Sequence, residues 1–225
     1  MGTNGSRNAD RGAPLARPPC HYAQQRCSAQ DGPVRAEAHA AAEMAMKDWN
    51  VVVTLHEGGF KRALALLRQI GPTTPSEYHN VILMKVDDIG TLLETLRRKM
   101  QEDATILESD ISRVVAGEQC FGFQSPDEFE AKAKAAALNL LPGLSGRAFH
   151  VRLHRRGFKG KLSSPEEERF LDHVLLEALD AAGTPGSISF DDPDAILVVE
   201  TISNHACVSL WSRDDIKRYP FLRLD

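Results

Sequence analysis

Two short patterns, Ser125-Pro126-Asp127-Glu128 and Ser164-Pro165-Glu166-Glu167, constrain this chain most tightly, because each sets a helix start at a fixed place. A capping hydroxyl is followed by a proline at the first helical position, then by acids that face the positive end of the helix. The first start leads through Phe129 and an alanine-rich stretch to Leu140, and Pro142-Gly143 stops it. The second leads into Phe170, Leu171, Val174, Leu175 and Leu179, an apolar face at helical spacing that Gly183 to Gly186 ends. Strand-like runs surround these helices. ISRVVAGEQCFGF precedes the first, the basic Ala148 to Leu153 separates the two, and SISF, AILVVETI and ACVSLW follow the second around an Asp191-Asp192-Pro193-Asp194 turn. Ser212 then caps a terminal helix, with Asp214 and Asp215 at its positive end.

The same alternation starts earlier. WNVVVTL is followed by a Gly58-Gly59 break and by Ala63, Leu64, Leu66, Leu67 and Ile70 on a short helix closed by Gly71-Pro72. YHNVILMKV comes next, then Asp88 as N-cap and Ile89, Leu92, Leu93, Leu96 and Met100 on one helical face. Two β-α units of this size predict a ferredoxin-like layer with helices on one face of the sheet. Residues 1–46 have no apolar period and are too polar to offset the entropy of ordering, so they read as a disordered tail. Met44 and Met46 stand directly before the first strand, leaving Met1, Met44 or Met46 as the translation start. The expected organisation is α/β (α+β): tail 1–46, ferredoxin-like block 47–104, and a second block 105–225 with a mixed sheet and covering helices.

No apolar run reaches the length of a membrane span, and the polar N-terminus carries no secretory core, so a cytoplasmic location is expected. Cysteines at 20, 27, 120 and 207 show no C-x-x-C spacing, and reduced, incidental thiols are the expectation. Cys120 and Cys207 read as buried fillers, and Cys20, His21 and Cys27 lie where too few apolar residues surround them to hold a metal rigidly.

Against a net charge of −4, the run Arg147 to Lys161 (RAFHVRLHRRGFKGK) carries six cations and no acid. Cations spaced along a strand and its following turn match a phosphate backbone and release its counterions. An edge strand guarded by cations has the same composition, so both readings stand on charge alone. Regular alternation places His154 with Arg152 and Arg156, opposite Val151 and Leu153.

FHVRLHRRG, SPEEERFLDHVLLEAL, DDPDAILVVETI and ACVSLW resemble, in content and order, the THUMP domain, an RNA-binding module of tRNA-modifying and thiouridine-forming enzymes. ISRVVAGEQCF is similar to the opening strand in the tRNA acetylation adaptor branch. The resemblance covers residues 105–225 and implies a ferredoxin-like domain followed by a THUMP domain that binds tRNA on a shared positive surface. Carried onto this chain, the RNA-binding positions are Arg152, His154, Arg155, Arg156, Lys159 and Lys161. Phe158 could stack on a base, although a turn phenylalanine more often folds onto its own core. Trp211, Arg213, Lys217 and Arg218 could extend the surface.

Family members that do chemistry carry a further catalytic domain, and no G-x-G-x-x-G or Walker spacing occurs here. Asp191, Asp192 and Asp194 could ligate Mg²⁺ and Glu166 to Glu168 could supply a base, but turn and helix-start positions explain both groups. The expectation is therefore a non-catalytic tRNA-binding adaptor without cofactor, catalytic residues or metal, presenting tRNA to a separate tRNA-modifying enzyme. The rival readings are a metal-dependent RNA-modifying enzyme and a protein-interaction module that docks an acidic partner.

Overall fold

The computed structural model describes residues 48–224. The tail read over 1–46, the choice of start methionine and the Cys20-His21-Cys27 grouping lie outside the described residues.

The first unit runs β1 (Val51–Leu55), α1 (Phe60–Leu67), β2 (Thr73–Pro75), β3 (Val81–Met84), α2 (Ile89–Glu102) and β4 (Ile111–Ala116). Its strands lie in the order β2-β3-β1-β4 with every neighbouring pair antiparallel, which is the ferredoxin-like arrangement. Asp88 caps α2 by accepting the Thr91 N–H at 3.0 Å, and Leu92, Leu93, Leu96 and Met100 are buried. Val51, Val53, Ile82 and Met84 pack under the helices, while Val52 and Leu83 turn the other way with Trp49 to meet Ile202 and Cys207 of the second unit. Burial on both faces is why β1 reads as continuous valine rather than as an alternation.

One expected strand is two. ISRVVAGEQCFGF supplies β4 to the first sheet and, after Gly117 and Glu118, β5 (Gln119–Gly122) to the second, so the first unit extends to residue 116. The crossover needs glycine, because a Cβ at residue 117 would stand 2.3 Å from the Cys207 Cβ.

The second unit continues with α3 (Pro126–Asn139), β6 (Ala148–Arg156), α4 (Ser164–Ala181), β7 (Ser187–Ile188), β8 (Ala195–Ile202), β9 (His205–Ser212) and α5 (Arg213–Arg218). Its sheet has the order β5-β9-β8-β6-β7, with β6 parallel to β7 and β8 and the other pairs antiparallel. One face, with Phe149, Val151, Leu153, Leu197, Val199 and Val208, packs on Phe129 and Ala133 of α3 and on Leu171, Leu175 and Leu179 of α4. The opposite face gives Ile196, Val198 and Trp211 to the core of the first unit. The chain after α5 closes this seam: Tyr219, Phe221, Leu222 and Leu224 join that core, and Phe221 O accepts the Val114 N–H at 3.0 Å.

The free edge of β6 has an unusual solution. β7 pairs only with Ala148 and Phe149, and past it two carboxylates of α4 stand in for a strand. Asp172 Oδ1 accepts the Val151 N–H at 2.9 Å, and Glu168 Oε1 accepts the Leu153 N–H at 2.7 Å. Each buried amide left without such an acceptor would cost about 1–3 kcal/mol.

Candidate nucleic-acid interface

Alternation along β6 does place Arg152, His154 and Arg156 together, opposite Val151 and Leu153. That face, however, is the seam between the two units. Glu200, 2% exposed on β8, receives Arg156 Nη1 at 2.9 Å and Arg113 Nη2 of β4 at 3.0 Å. Arg156 Nη2 also donates to Thr54 Oγ1 of β1 at 3.1 Å, so one guanidinium bridges both sheets. Burial pushes the Glu200 carboxyl up, and the two guanidiniums pull it back toward the charged form.

His154 lies in the same seam, hydrogen-bonded to the Leu224 backbone. Burial first, then the charges of Arg113 and Arg156, lower its imidazole to about 3, so it is neutral at physiological pH. Arg152 is half-buried beside it and engaged in an interaction of its own. The expectation of an outward cationic face therefore needs correcting at Arg156 and His154: both are held in the joint between the units, because an acid on β8 and an arginine on β4 face them.

The cations that do face solvent follow the strand. Lys159 and Lys161 are exposed, and neither has an ion-pair partner among the described residues. Arg155 is half-buried, with Nη1 donating to Gly157 O. The turn that carries them starts at a close approach: Gly157 has φ +102°, and a Cβ there would lie 2.8 Å from the Ser203 Cα. Phe158 folds inward, its ring 4.8 Å from that of Phe123, and Lys161 Nζ stands 5.9 Å from the Phe158 ring centroid. The core reading of Phe158 is the one the structure has.

The other candidates, Lys217 apart, are occupied structurally. Arg213 pairs with Asp192 at 2.9 Å and Asp194 at 3.1 Å, and Asp194 Oδ2 also accepts the Ala148 N–H at 3.0 Å. Glu167 is buried and its carboxyl is raised to about 7 by burial and by Glu130 and Glu166, while Glu168 caps β6. Trp211 is buried, Arg218 pairs with Glu94 at 2.6 Å, and Lys217 is exposed.

Cys120 and Cys207 are not separate thiols but a disulfide, formed because β5 and β9 place them opposite each other. With His205 they are the one trio of possible metal donors among the described residues, all within 4.8 Å. In the disulfide the two sulfurs are bonded to each other. Sequence reading missed this pair, the Arg113–Glu200–Arg156 network and the carboxylate caps of β6. Glu200 left a signal, as the single acid inside the buried run AILVVETI.

These features define a ferredoxin-like unit joined to a second unit built on a five-stranded mixed sheet, in a mixed α/β protein with two sheets. Among solved structures the chain is similar to TrmN from Thermus thermophilus, with a TM-score of 0.52 and 20% identity over 72% of this chain and 45% of that one. It is also similar to PH1313 from Pyrococcus horikoshii, with a TM-score of 0.52 and 14% identity over 73% of this chain and 55% of that one. The likeness is one of fold, and the chain spans about half the length of these two structures. No family model and no curated protein matches the sequence.

Proposed function

We propose that this chain binds tRNA and acts as a non-catalytic adaptor that presents it to a separate modification enzyme. The observation that carries the reading is the turn at the end of β6, which places Lys159 and Lys161 in solvent with Arg155 beside them. Solvent-facing ammonium groups at the end of a strand suit phosphate contacts, which position a nucleic acid without reading its bases. The THUMP resemblance favours tRNA over other polyanions. The enzyme reading is weaker, since the carboxylates it would use at 192 and 194 are engaged by Arg213 and the Ala148 amide.

A gel shift of the pure chain with total tRNA tests this, against duplex DNA and an acidic protein as competitors. Retention of the tRNA complex in excess competitor is expected. Displacement by the acidic protein would move the function to protein docking, and metal-dependent alteration of the tRNA by the pure chain would make it an enzyme.

A further inference from the structure

Cys120 and Cys207 occupy facing positions on β5 and β9, and the Phe123 N–H to Asn204 O bond of 2.9 Å places them at a rung without backbone hydrogen bonds. Side chains approach most closely at such rungs, and the two Cα atoms are 4.0 Å apart. The pair sits where the chain crosses between sheets, since Gly117 lies directly on Cys207. The sulfurs differ in access: Cys120 is half-buried, whereas Cys207 is 2% exposed and packed with Trp49, Leu83 and Ile202. His205 Nε2 donates to Trp49 O at 3.1 Å and lies 3.8 Å from Cys207 Sγ.

We infer that Cys120 and Cys207 form a reversible thiol–disulfide site, entered by low-molecular-weight thiols at Cys120, whose closure ties β5 to β9 directly after the crossover from the first sheet. In opening, a small thiolate attacks Cys120 Sγ, the bond between the cysteine sulfurs breaks, and its electron pair leaves on Cys207 Sγ. A turn of the His205 Nε2–H from Trp49 O toward the sulfur 3.8 Å away would stabilise that developing thiolate and make Cys207 the better leaving group. A second small thiolate then attacks the outer sulfur of the mixed disulfide, releasing Cys120 thiolate and a small disulfide. Two electrons pass from two small thiols to the pair, and one proton ends on each cysteine. Closure is the reverse, with a small disulfide as oxidant. Burial lowers the His205 imidazole.

The test uses the full chain with Cys20→Ser and Cys27→Ser, so that only this pair reports. In a glutathione buffer poised oxidising, non-reducing peptide mapping should give the Cys120 and Cys207 peptides linked, and dithiothreitol should separate them. Reduction should lower the unfolding midpoint by roughly 6–12 °C. Cys207→Ser should take up one glutathione on Cys120, and Cys120→Ser should take up about tenfold less on Cys207. His205→Phe should slow opening several-fold at the same dithiothreitol concentration. Mapping of the intact pair needs no substitution at either cysteine, so a variant that fails to fold leaves the test standing. Two alkylatable thiols in the oxidising buffer, or adducts forming first on Cys207, would overturn the inference. So would a reduced chain that holds one zinc ion through this trio and resists oxidation.

Discussion

Glu200→Ala isolates the seam between the two units. The substitution leaves the guanidiniums of Arg113 and Arg156, whose side chains are 12% and 19% exposed, facing each other without a counter-charge. Removing one partner from a buried ion pair costs about 3–5 kcal/mol, because the remaining charge is left desolvated. For a chain of this size that corresponds to a fall of about 10 °C in Tm. Replacing the whole network at once, Arg113→Met with Arg156→Met and Glu200→Leu, removes the charges together and should cost no more than about 2 kcal/mol. Urea unfolding followed by circular dichroism gives both numbers. A loss below about 1 kcal/mol for Glu200→Ala would refute the reasoning, as would a triple variant no more stable than the single one.

Three further outcomes follow from the same geometry. Burial raises the Asp172 carboxyl from 3.8 to about 6, so its proton stabilises the fold at low pH and that contribution is lost as pH climbs through this window. Asp172→Asn keeps an oxygen for the Val151 amide and should stabilise the chain at pH 7.5 by up to about 3 kcal/mol, with no gain at pH 3; identical pH profiles of stability would contradict this. Gly157→Ala should lower stability by about 1–3 kcal/mol in the same unfolding assay, from its positive φ and the clash with the Ser203 backbone, and a neutral result would mean the turn is not held as described. Arg156→Ala should destabilise the chain yet leave the salt dependence of tRNA affinity unchanged under conditions where it is folded; a shallower dependence would return Arg156 to the binding surface.

Local signals were the legible part of the fold. Ser125 accepts the Glu128 N–H at 3.2 Å as its spacing predicts, Ser212 forms a capping box with Asp215, and the apolar faces of α2 and α4 are buried as read except at their first residues, Ile89 and Phe170, which are half-buried. Helix α4 begins one residue off, with Ser163 rather than Ser164 at the cap position. What could not be read was which sheet a strand joins. β4 and β5 are both β-rich, and only Gly117 between them marked a crossover. The burial of Arg156 and His154 was hidden for the same reason: a cationic strand face looks solvated until a second unit, carrying Arg113 and Thr54, is laid over it. Asp172 and Glu168 offered a missed clue, since they share the helical stripe of Leu175 and Leu179 and so had to face the sheet. The Lys159 and Lys161 turn, outside the seam, is the part of the predicted site that the structure leaves facing solvent.

The most direct test of the account is tRNA affinity measured across a salt series for the native chain and for Lys159→Ala/Lys161→Ala. The account predicts a linear fall of log affinity with log salt, and a slope shallower by about 1.5 in the double variant, from two lost phosphate contacts. An unchanged slope and affinity in a folded double variant would contradict it.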